Sequence, residues 1–340
     1  MSTLAGNVVS MIHQANDQSL PDLEARSTNS HHTKKTIVYV NLAQFLAADL
    51  PRRESLLAPW LLERSLSMIH AWRGVGKSHV ALGIAYAVAT GTDFLGWKAP
   101  HPSKVLYLDG EMQGSALQER LCKLHAARDG VAEDLLRNFL IITPDLQPDT
   151  MLDLADSAWQ ELLADITKDV KLIIVDNLSC LARSGGKENE ADSWEPIQRW
   201  ALRMRKSGCA VLFIHHSGKS GNQRGTSRRE DSLDTVIKLS LPTEYQSEDG
   251  AFFEVDFEKG RELFGDAAQS FEAKLGEANG IQIWITKPRE ESTQAKVIEK
   301  WNLGLRAHEI ADELRINKST VSRYLKAAKA TGKIKTHQDD

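Results

Sequence analysis

Hydrophobic residues along the chain alternate between short continuous runs and longer stretches in which they recur every three or four residues. The short runs have the length of buried strands; they are Leu66–Ile69, Lys104–Leu108, Phe139–Thr143, Lys171–Val175 and Ala210–Ile214. The spaced stretches predict helices; they are Val80–Val88, Ser115–Ala127, Asp153–Lys168 and Trp194–Lys206. Strands that alternate with helices in this way predict an α/β fold with a mostly parallel central sheet and crossover helices.

The two ends of the chain break this alternation. Residues 1–35 show no sustained periodicity and are predicted to be a flexible arm, or a partner-docking segment, ahead of an α/β domain at 36–286. Late in that domain the pattern predicts an edge strand and a closing hairpin, at Phe252–Glu258, Phe271–Leu275 and Ile281–Ile285. Residues 287–294 predict a hinge. Residues 295–340 then predict a small all-α domain, with helices at Ala295–Trp301, Ala307–Leu314 and Lys318–Ala328.

Composition and charge narrow the class of protein. The chain has 340 residues, of which 41% are hydrophobic, and we expect a cytoplasmic protein without membrane contact because no leader or spanning segment is evident. The net charge is −4, yet Arg315–Lys335 carries seven Lys or Arg and no Asp or Glu. A basic tail on an acidic body predicts either a footprint for nucleic-acid phosphates or a solvated helix face, and charge alone does not separate the two.

A phosphate-binding loop is predicted between the run Leu66–Ile69 and the helix Val80–Val88. Backbone N–H groups of such a loop surround the β-phosphate of a nucleoside triphosphate, the lysine reaches the β- and γ-phosphates, and the hydroxyl binds Mg²⁺. Ala71 stands where glycine is usual and is tolerated if its φ stays negative. The predicted nucleotide-binding residues are Arg73, Gly74, Val75, Gly76, Lys77, Ser78 and His79.

Acidic residues at two strand ends complete the predicted site. Asp176 closes the run Lys171–Val175 and is expected to hold Mg²⁺, directly or through water, together with Ser78. Glu111 follows the run Lys104–Leu108 and is the preferred general base for the water that attacks the γ-phosphate, with Asp109 as a competitor.

The order of these motifs resembles the RecA-like P-loop ATPases, and more narrowly the RepA-type hexameric helicases of plasmids and mobile elements. The resemblance spans Leu56–Leu239 and includes Ile173–Leu178 and Phe213–Lys219. It implies ATP and Mg²⁺ as ligands and a homo-oligomeric ring, expected to be a hexamer. It also implies a catalytic carboxylate at Glu111, a Mg²⁺ residue at Asp176 and a γ-phosphate sensor at His216.

Two basic segments are candidates for DNA or a neighbouring subunit. Gly218–Asp231 reads as a mobile loop that tracks DNA in a ring channel, that offers Arg224 to a neighbour's γ-phosphate, or that is merely solvated. Lys259-Gly260-Arg261 resembles the Lys-x-Arg pair that ring motors insert into the adjacent ATP site. We favour Lys259 and Arg261 as residues that act in trans, with Arg224 second.

The last helices resemble the helix-turn-helix domains of bacterial regulators, through Ala307–Ala311 and Ser319–Leu325. In that motif the second helix enters the major groove of DNA. The predicted DNA-binding residues are Lys318, Ser319, Thr320, Ser322, Arg323 and Lys326. A three-helix protein-docking domain is the alternative.

The sequence therefore predicts an ATP-hydrolysing, ring-forming DNA motor, most simply a RepA-type replicative helicase of a plasmid or mobile element. Single-stranded DNA is the expected partner in the channel, and duplex DNA is expected at the C-terminal domain. The alternative is an ATP-gated DNA-binding regulator or recruitment factor that assembles on DNA without unwinding it. A small-molecule kinase is disfavoured because no acceptor-binding lid is evident and the tail is basic.

Overall fold

The computed structural model describes residues 25–28, 35–184, 191–217, 228–242, 245–278, 281–330 and 334. Two compact units are formed, by residues 1–53 and 54–340. In the first unit, strand β1 (Ala25–Thr28) pairs antiparallel with β2 (Lys35–Val38), and helix α1 (Leu42–Ala47) follows. The remaining residues of the predicted arm at 1–35 lie outside the described ranges.

The larger unit contains one nine-stranded sheet and two separate two-stranded sheets. Its strands are β3 (Ser55–Leu57), β4 (Leu61–Leu62), β5 (Leu66–Ala71), β6 (Asp93–Phe94), β7 (Trp97–Lys98), β8 (Val105–Asp109), β9 (Phe139–Ile142), β10 (Leu172–Asp176), β11 (Ala210–His216), β12 (Thr235–Ser240), β13 (Phe252–Gly260), β14 (Phe271–Ala278) and β15 (Ile281–Pro288). The order across the large sheet is β15-β14-β13-β12-β5-β11-β10-β8-β9. The strands from β12 to β9 run parallel, and β13, β14 and β15 are antiparallel additions at one side.

Helices connect the parallel strands, as the alternation predicts. They are α2 (Lys77–Thr90), α3 (Gly114–Ala126), α4 (Ser157–Ile166), α5 (Leu178–Leu181), α6 (Ala191–Ser207) and α7 (Arg228–Asp231). Three further helices follow β15; they are α8 (Arg289–Asn302), α9 (Ala307–Glu313) and α10 (Lys318–Ala330). Single 3-10 turns lie at Glu133–Asn138, Pro144–Leu146, Ser247–Asp249 and Gly265–Ala268.

The sheet separates two hydrophobic cores because successive side chains of a strand point to opposite faces. Leu172 and Ile174 of β10 pack into the core that contains α2. Ile173 and Val175 pack into the core on the other face, with Trp200 of α6. Helix α2 lies so close to the β6–β7 hairpin that a Cβ at Gly83 would come within 2.1 Å of the Phe94 ring.

The carboxyl ends of four parallel strands meet at one edge of the sheet. Asp109, at the end of β8, is the register partner of Asp176 at the end of β10. His216, at the end of β11, is the partner of Ala71 at the end of β5. Residues far apart in sequence are therefore brought side by side where ligands bind in parallel α/β sheets.

The three C-terminal helices share a small core of their own, formed by Val297, Ile310, Ala311, Val321 and Tyr324. In the segment predicted to be a hinge, 287–294, β15 runs to Pro288 and α8 begins at the next residue. Arg289 pairs with both Glu254 and Asp256 of β13, at 3.1 and 2.7 Å. These two ion pairs join the first residue of α8 to the sheet.

Candidate functional site

The loop between β5 and α2 has the conformation that a phosphate-binding loop requires. Gly74 and Gly76 have φ of 80° and 120°, values that side-chain-bearing residues rarely adopt. Among the described residues, only Arg64, Leu95 and Arg315 combine a side chain with positive φ. Ala71 therefore keeps negative φ, which is the condition on which its replacement of glycine depends.

Lys77 lies over this loop and is almost completely buried. Its ammonium donates hydrogen bonds to the carbonyl oxygens of Ala71 and Trp72, at 3.3 and 3.1 Å. Burial lowers the pKa of Lys77, while the carboxylates of Asp176 and Glu111 oppose this shift. The amine is held at the position from which it can reach the phosphates of a bound nucleotide.

Ser78 and Asp176 are brought together from the start of α2 and the end of β10. The Ser78 hydroxyl hydrogen-bonds the Asp176 carboxylate. The buried Tyr107 hydroxyl donates to Asp176 Oδ2 at 2.6 Å. Burial is the largest influence on Asp176 and raises its pKa, whereas both hydrogen bonds lower it. A hydroxyl and a carboxylate in contact are hard oxygen donors that fit Mg²⁺, which keeps its other ligands as water and phosphate.

Glu111, Asn177 and His216 form a second cluster on the same edge. Asn177 Nδ2 makes a short hydrogen bond to Glu111 Oε2 and lies 3.2 Å from His216 Nε2. The Glu111 carboxylate is 3.6 Å from His216 Nε2, and its side chain is 61% exposed. Burial, followed by the charge of Lys77, lowers the pKa of His216. The predicted base and the predicted sensor are therefore neighbours, and water can reach the base.

Asp109, the competing base, is occupied by its own turn. Its Oδ1 accepts from the backbone N–H groups of Glu111 and Met112, at 3.3 and 3.1 Å. Its Oδ2 accepts from the Thr143 hydroxyl at 3.0 Å. The side chain is 1% exposed. This geometry favours Glu111 as the base. Asp109 instead stabilises the turn that contains Glu111.

These residues line one cavity of about 720 Å³, large enough for a nucleotide. Of the predicted binding residues it includes all but Val75, which is buried beneath the loop. His79 lines the cavity, and burial next to Arg120 and Lys123 lowers its pKa to about 4. His79 is therefore neutral at pH 7.

Sequence reasoning missed several residues of the cavity wall. Ala116 and Arg120 line it from α3, and Gln113 lines it from the N-cap position of that helix. Their spacing of three and four residues puts them on one side of the helix. Tyr245, whose hydroxyl donates to the Gly250 carbonyl at 3.3 Å, lines it from the segment before β13. The spacing of the residues at α3 could have been recognised in the sequence. No sequence pattern near Tyr245 indicated a binding residue, because the strand that precedes it was not predicted.

The structure does not bring Lys259 and Arg261 to the cavity of their own chain. Lys259 Nζ makes a short hydrogen bond to the Glu230 carbonyl, and Arg261 donates to the Asp231 carbonyl at 2.8 Å. Both hold the backbone of α7, which is formed by the last four residues of the predicted loop Gly218–Asp231. Arg224 and the rest of 218–227 lie outside the described residues.

On α10 the apolar and polar positions separate cleanly. Val321 and Tyr324 face the small core. The turn before α10 contains Arg315 with φ of 52°. The predicted DNA contacts lie on the outer side of the helix, where Thr320 is half-buried and the others are exposed; these others are Lys318, Ser319, Ser322, Arg323 and Lys326.

Comparison with known proteins identifies a family for the first part of the chain. The model of the AAA_25 family, described as an AAA domain, matches residues 33–222. A similar solved structure is that of a KaiC-like protein from the hyperthermophilic archaeon Pyrococcus horikoshii OT3, with 14% identity and a TM-score of 0.47. That alignment covers 69% of this chain and 99% of the other. No helix in the described part of the chain has both the length and the apolar character needed to cross a membrane.

Proposed function

The chain belongs to the AAA domain family and has a RecA-like P-loop fold, and from this premise we propose that it is an ATP-driven, ring-forming DNA motor of the RepA helicase type. The observation that carries the proposal is one cavity that joins a phosphate loop, a hydroxyl–carboxylate pair and a water-accessible glutamate. Family membership indicates a nucleotide-hydrolysing ATPase. Translocation on DNA is proposed in addition to this ATPase activity.

The loop residues account for nucleotide binding. Backbone N–H groups at the start of α2 and the positive end of its dipole face the β-phosphate, and Lys77 exchanges its two carbonyl partners for phosphate oxygens. Ser78 and Asp176 would hold Mg²⁺. When bound, the ion neutralises charge that develops on the phosphate oxygens.

The second cluster accounts for hydrolysis. The Glu111 carboxylate orients the attacking water and accepts its proton, because it is the exposed carboxylate beside the loop. His216 stands next to Glu111 and Lys77, where a γ-phosphate would contact it. Its ring is kept neutral by burial and by the Lys77 charge, so it can exchange hydrogen bonds with a phosphate without carrying a charge of its own.

A ring is proposed because two basic residues are suited to act between subunits. Lys259 lies near the end of β13 and Arg261 directly follows the strand, and both hold the backbone of α7 in their own chain. In a ring of six, one of them would reach the neighbour's γ-phosphate and stabilise the charge of the transition state. Their contacts to α7 would then connect the neighbour's nucleotide to the predicted DNA-binding loop.

Contact with duplex DNA is assigned to α10. Its exposed face carries Lys318, Arg323 and Lys326, whereas its inner face is anchored by Val321 and Tyr324. A helix with this division can enter a groove and contact phosphates without unfolding its core. The same observation supports a second candidate function, in which the protein is an ATP-gated regulator that assembles at a DNA site without unwinding it.

The experiment that separates the two functions is the ATP hydrolysis rate of the purified protein alone, with single-stranded DNA and with duplex. Lys77→Ala serves to exclude contaminating ATPases. Strong stimulation by single strands supports a translocating motor and justifies unwinding assays. Slow hydrolysis that is indifferent to single strands would contradict the motor and favour the regulator.

A further inference from the structure

Asn177 contacts both of the residues to which hydrolysis has been assigned. Its amide nitrogen donates to Glu111 Oε2 and lies 3.2 Å from His216 Nε2. Asn177 is 1% exposed, so its own amide group is shielded from water. The residue is not accounted for by the phosphate loop, the metal pair or the base.

The orientation of this amide is fixed from both sides. Asn177 Oδ1 accepts the backbone N–H of Cys180 at 3.1 Å and thereby caps helix α5. A carboxylate only accepts hydrogen bonds at neutral pH, so the group that faces Glu111 must be the NH₂. The helix cap and the Glu111 carboxylate therefore require the same orientation of the Asn177 amide. Its nitrogen and oxygen cannot exchange places without the loss of both contacts.

This orientation also defines the state of His216. Because an amide NH₂ cannot accept, His216 Nε2 is the acceptor, and the proton of the neutral ring is on Nδ1. The Nδ1 atom is buried and has no hydrogen-bond partner among the described residues. One amide thus holds the lone pair of His216 and one oxygen of Glu111 at the same time.

We propose that Asn177 is a positioning residue for ATP hydrolysis, which aims the Glu111 carboxylate at the attacking water and links it to His216. The inference rests on the proposed ATPase function and deepens it. The Glu111 side chain is 61% exposed, so without a hydrogen-bond partner it would sample many rotamers. Only a few of these rotamers place the carboxylate beside a γ-phosphate. A hydrogen bond from a buried amide selects among them.

The proposal predicts a specific response when a γ-phosphate contacts His216. If the ring donates to the phosphate through Nε2, it must take its proton on that atom and give up the contact with Asn177. The amide then serves Glu111 alone. Binding of a nucleotide at His216 thereby changes the hydrogen bonding of Glu111 through the side chain of Asn177.

Two variants separate positioning from helix capping. Asn177→Asp keeps the shape and the acceptor that caps α5 but cannot donate to Glu111. Asn177→Ser keeps a capping oxygen without adding charge, and it is too short to reach the carboxylate. We expect both to lower kcat by about 10²-fold, the cost of a misplaced reacting group. In Asn177→Ser we expect ATP affinity, measured with a fluorescent analogue, to stay at the wild-type value.

Asp156→Ala is the matched control, because Asp156 caps α4 in the same way through the backbone N–H of Ala158 at 2.9 Å. It is expected to lower thermal stability without changing kcat. Wild-type kcat in Asn177→Asp would overturn the inference and leave the proposed function intact. A parallel loss of kcat, ATP affinity and thermal stability in both variants would also overturn it, since a structural role would then suffice. A wild-type protein without ATPase activity would overturn the inference and the proposed function together.

Discussion

The nucleotide cavity and the C-terminal helices use polar residues in opposite ways. In the cavity, Lys77, Asp109 and Asp176 are at most 6% exposed, and each makes hydrogen bonds with neighbouring protein groups. On α10, Lys318 and Lys326 are exposed. Buried charges are costly unless they are paired, whereas exposed charges gain little from any one geometry. Substitutions in the cavity should therefore change chemistry in large single steps, and those on α10 should change affinity in small, salt-dependent ones.

The largest effect is expected from Lys77→Ala. Removal of the only basic side chain that folds back onto the described loop carbonyls should reduce ATP turnover to background, because charge on the phosphates is then uncompensated. Steady-state hydrolysis measures this loss. Lys168→Ala is the matched control, since Lys168 is exposed and pairs with Asp165 of α4. Equal activity in both variants would contradict the assignment of the loop.

Glu111→Gln is expected to lower kcat by about 10²–10⁴-fold, the usual contribution of general base catalysis. ATP binding should persist, because Glu111 makes no contact with the loop backbone in the described structure. Single-turnover hydrolysis and equilibrium binding separate the two quantities. Glu119→Gln provides an exposed control on α3. Normal turnover in Glu111→Gln would remove it as the base.

Arg261→Ala tests whether the cavity of one chain contains every residue that ATP hydrolysis needs. As a pure protein it should hydrolyse ATP poorly, and mixing it with Glu111→Gln subunits should restore part of the turnover. The reason is that a mixed interface is intact where the Arg261→Ala subunit supplies Glu111 and the Glu111→Gln subunit supplies Arg261. The rate is measured as a function of mixing ratio. A mixture that stays as inactive as its components would assign Arg261 to α7 alone.

Ile310→Ala tests whether the C-terminal helices hold α10 in shape. Truncation of this fully buried side chain should destabilise the small core by about 2–5 kcal/mol. Duplex binding should weaken while basal hydrolysis is spared. Thermal unfolding and binding titrations give both quantities, with Leu303→Ala as a control because Leu303 is 72% exposed. Unchanged duplex affinity despite an unfolded C-terminal unit would place DNA binding elsewhere.

The smallest effect is expected from Lys326→Ala. Loss of one phosphate contact should weaken duplex binding similarly for all sequences and reduce the slope of log affinity against log salt by about 1. Titrations at several salt concentrations measure the slope. Lys168→Ala, an exposed lysine after α4, should leave it unchanged. An identical slope in both variants would contradict DNA contact through α10.

The strands that carry the cavity were predictable because of their composition. β8 and β10 are buried at every position, and each ends in an aspartate. β12 was missed because Lys238 and Ser240 interrupt its apolar residues. Lys238 is accommodated by Glu258 of β13, at 3.6 Å, and a pairing between strands leaves no trace in local sequence. The two-residue strands β4, β6 and β7 are too short to have a pattern.

The candidate site divides in the same way. The phosphate loop, Asp176 and Glu111 were predicted because each lies at or just after the end of an apolar run, whereas His216 was predicted from the family resemblance. Asn177 follows such a run as well, but its contacts with Glu111 and His216 come from β8 and β11 and appear only in three dimensions. The hinge at 287–294 was predicted because a proline beside charged residues is typical of a linker; Pro288 ends a strand and precedes a helix, a position that also tolerates proline.

The two carbonyl partners of Lys77 have a consequence for the empty protein. An ammonium that is already satisfied by Ala71 and Trp72 does not need a ligand to make its burial tolerable. Nucleotide arrival is then an exchange of partners, and departure restores the old ones. The lysine of the phosphate loop therefore has hydrogen-bond acceptors both before a nucleotide binds and after it leaves.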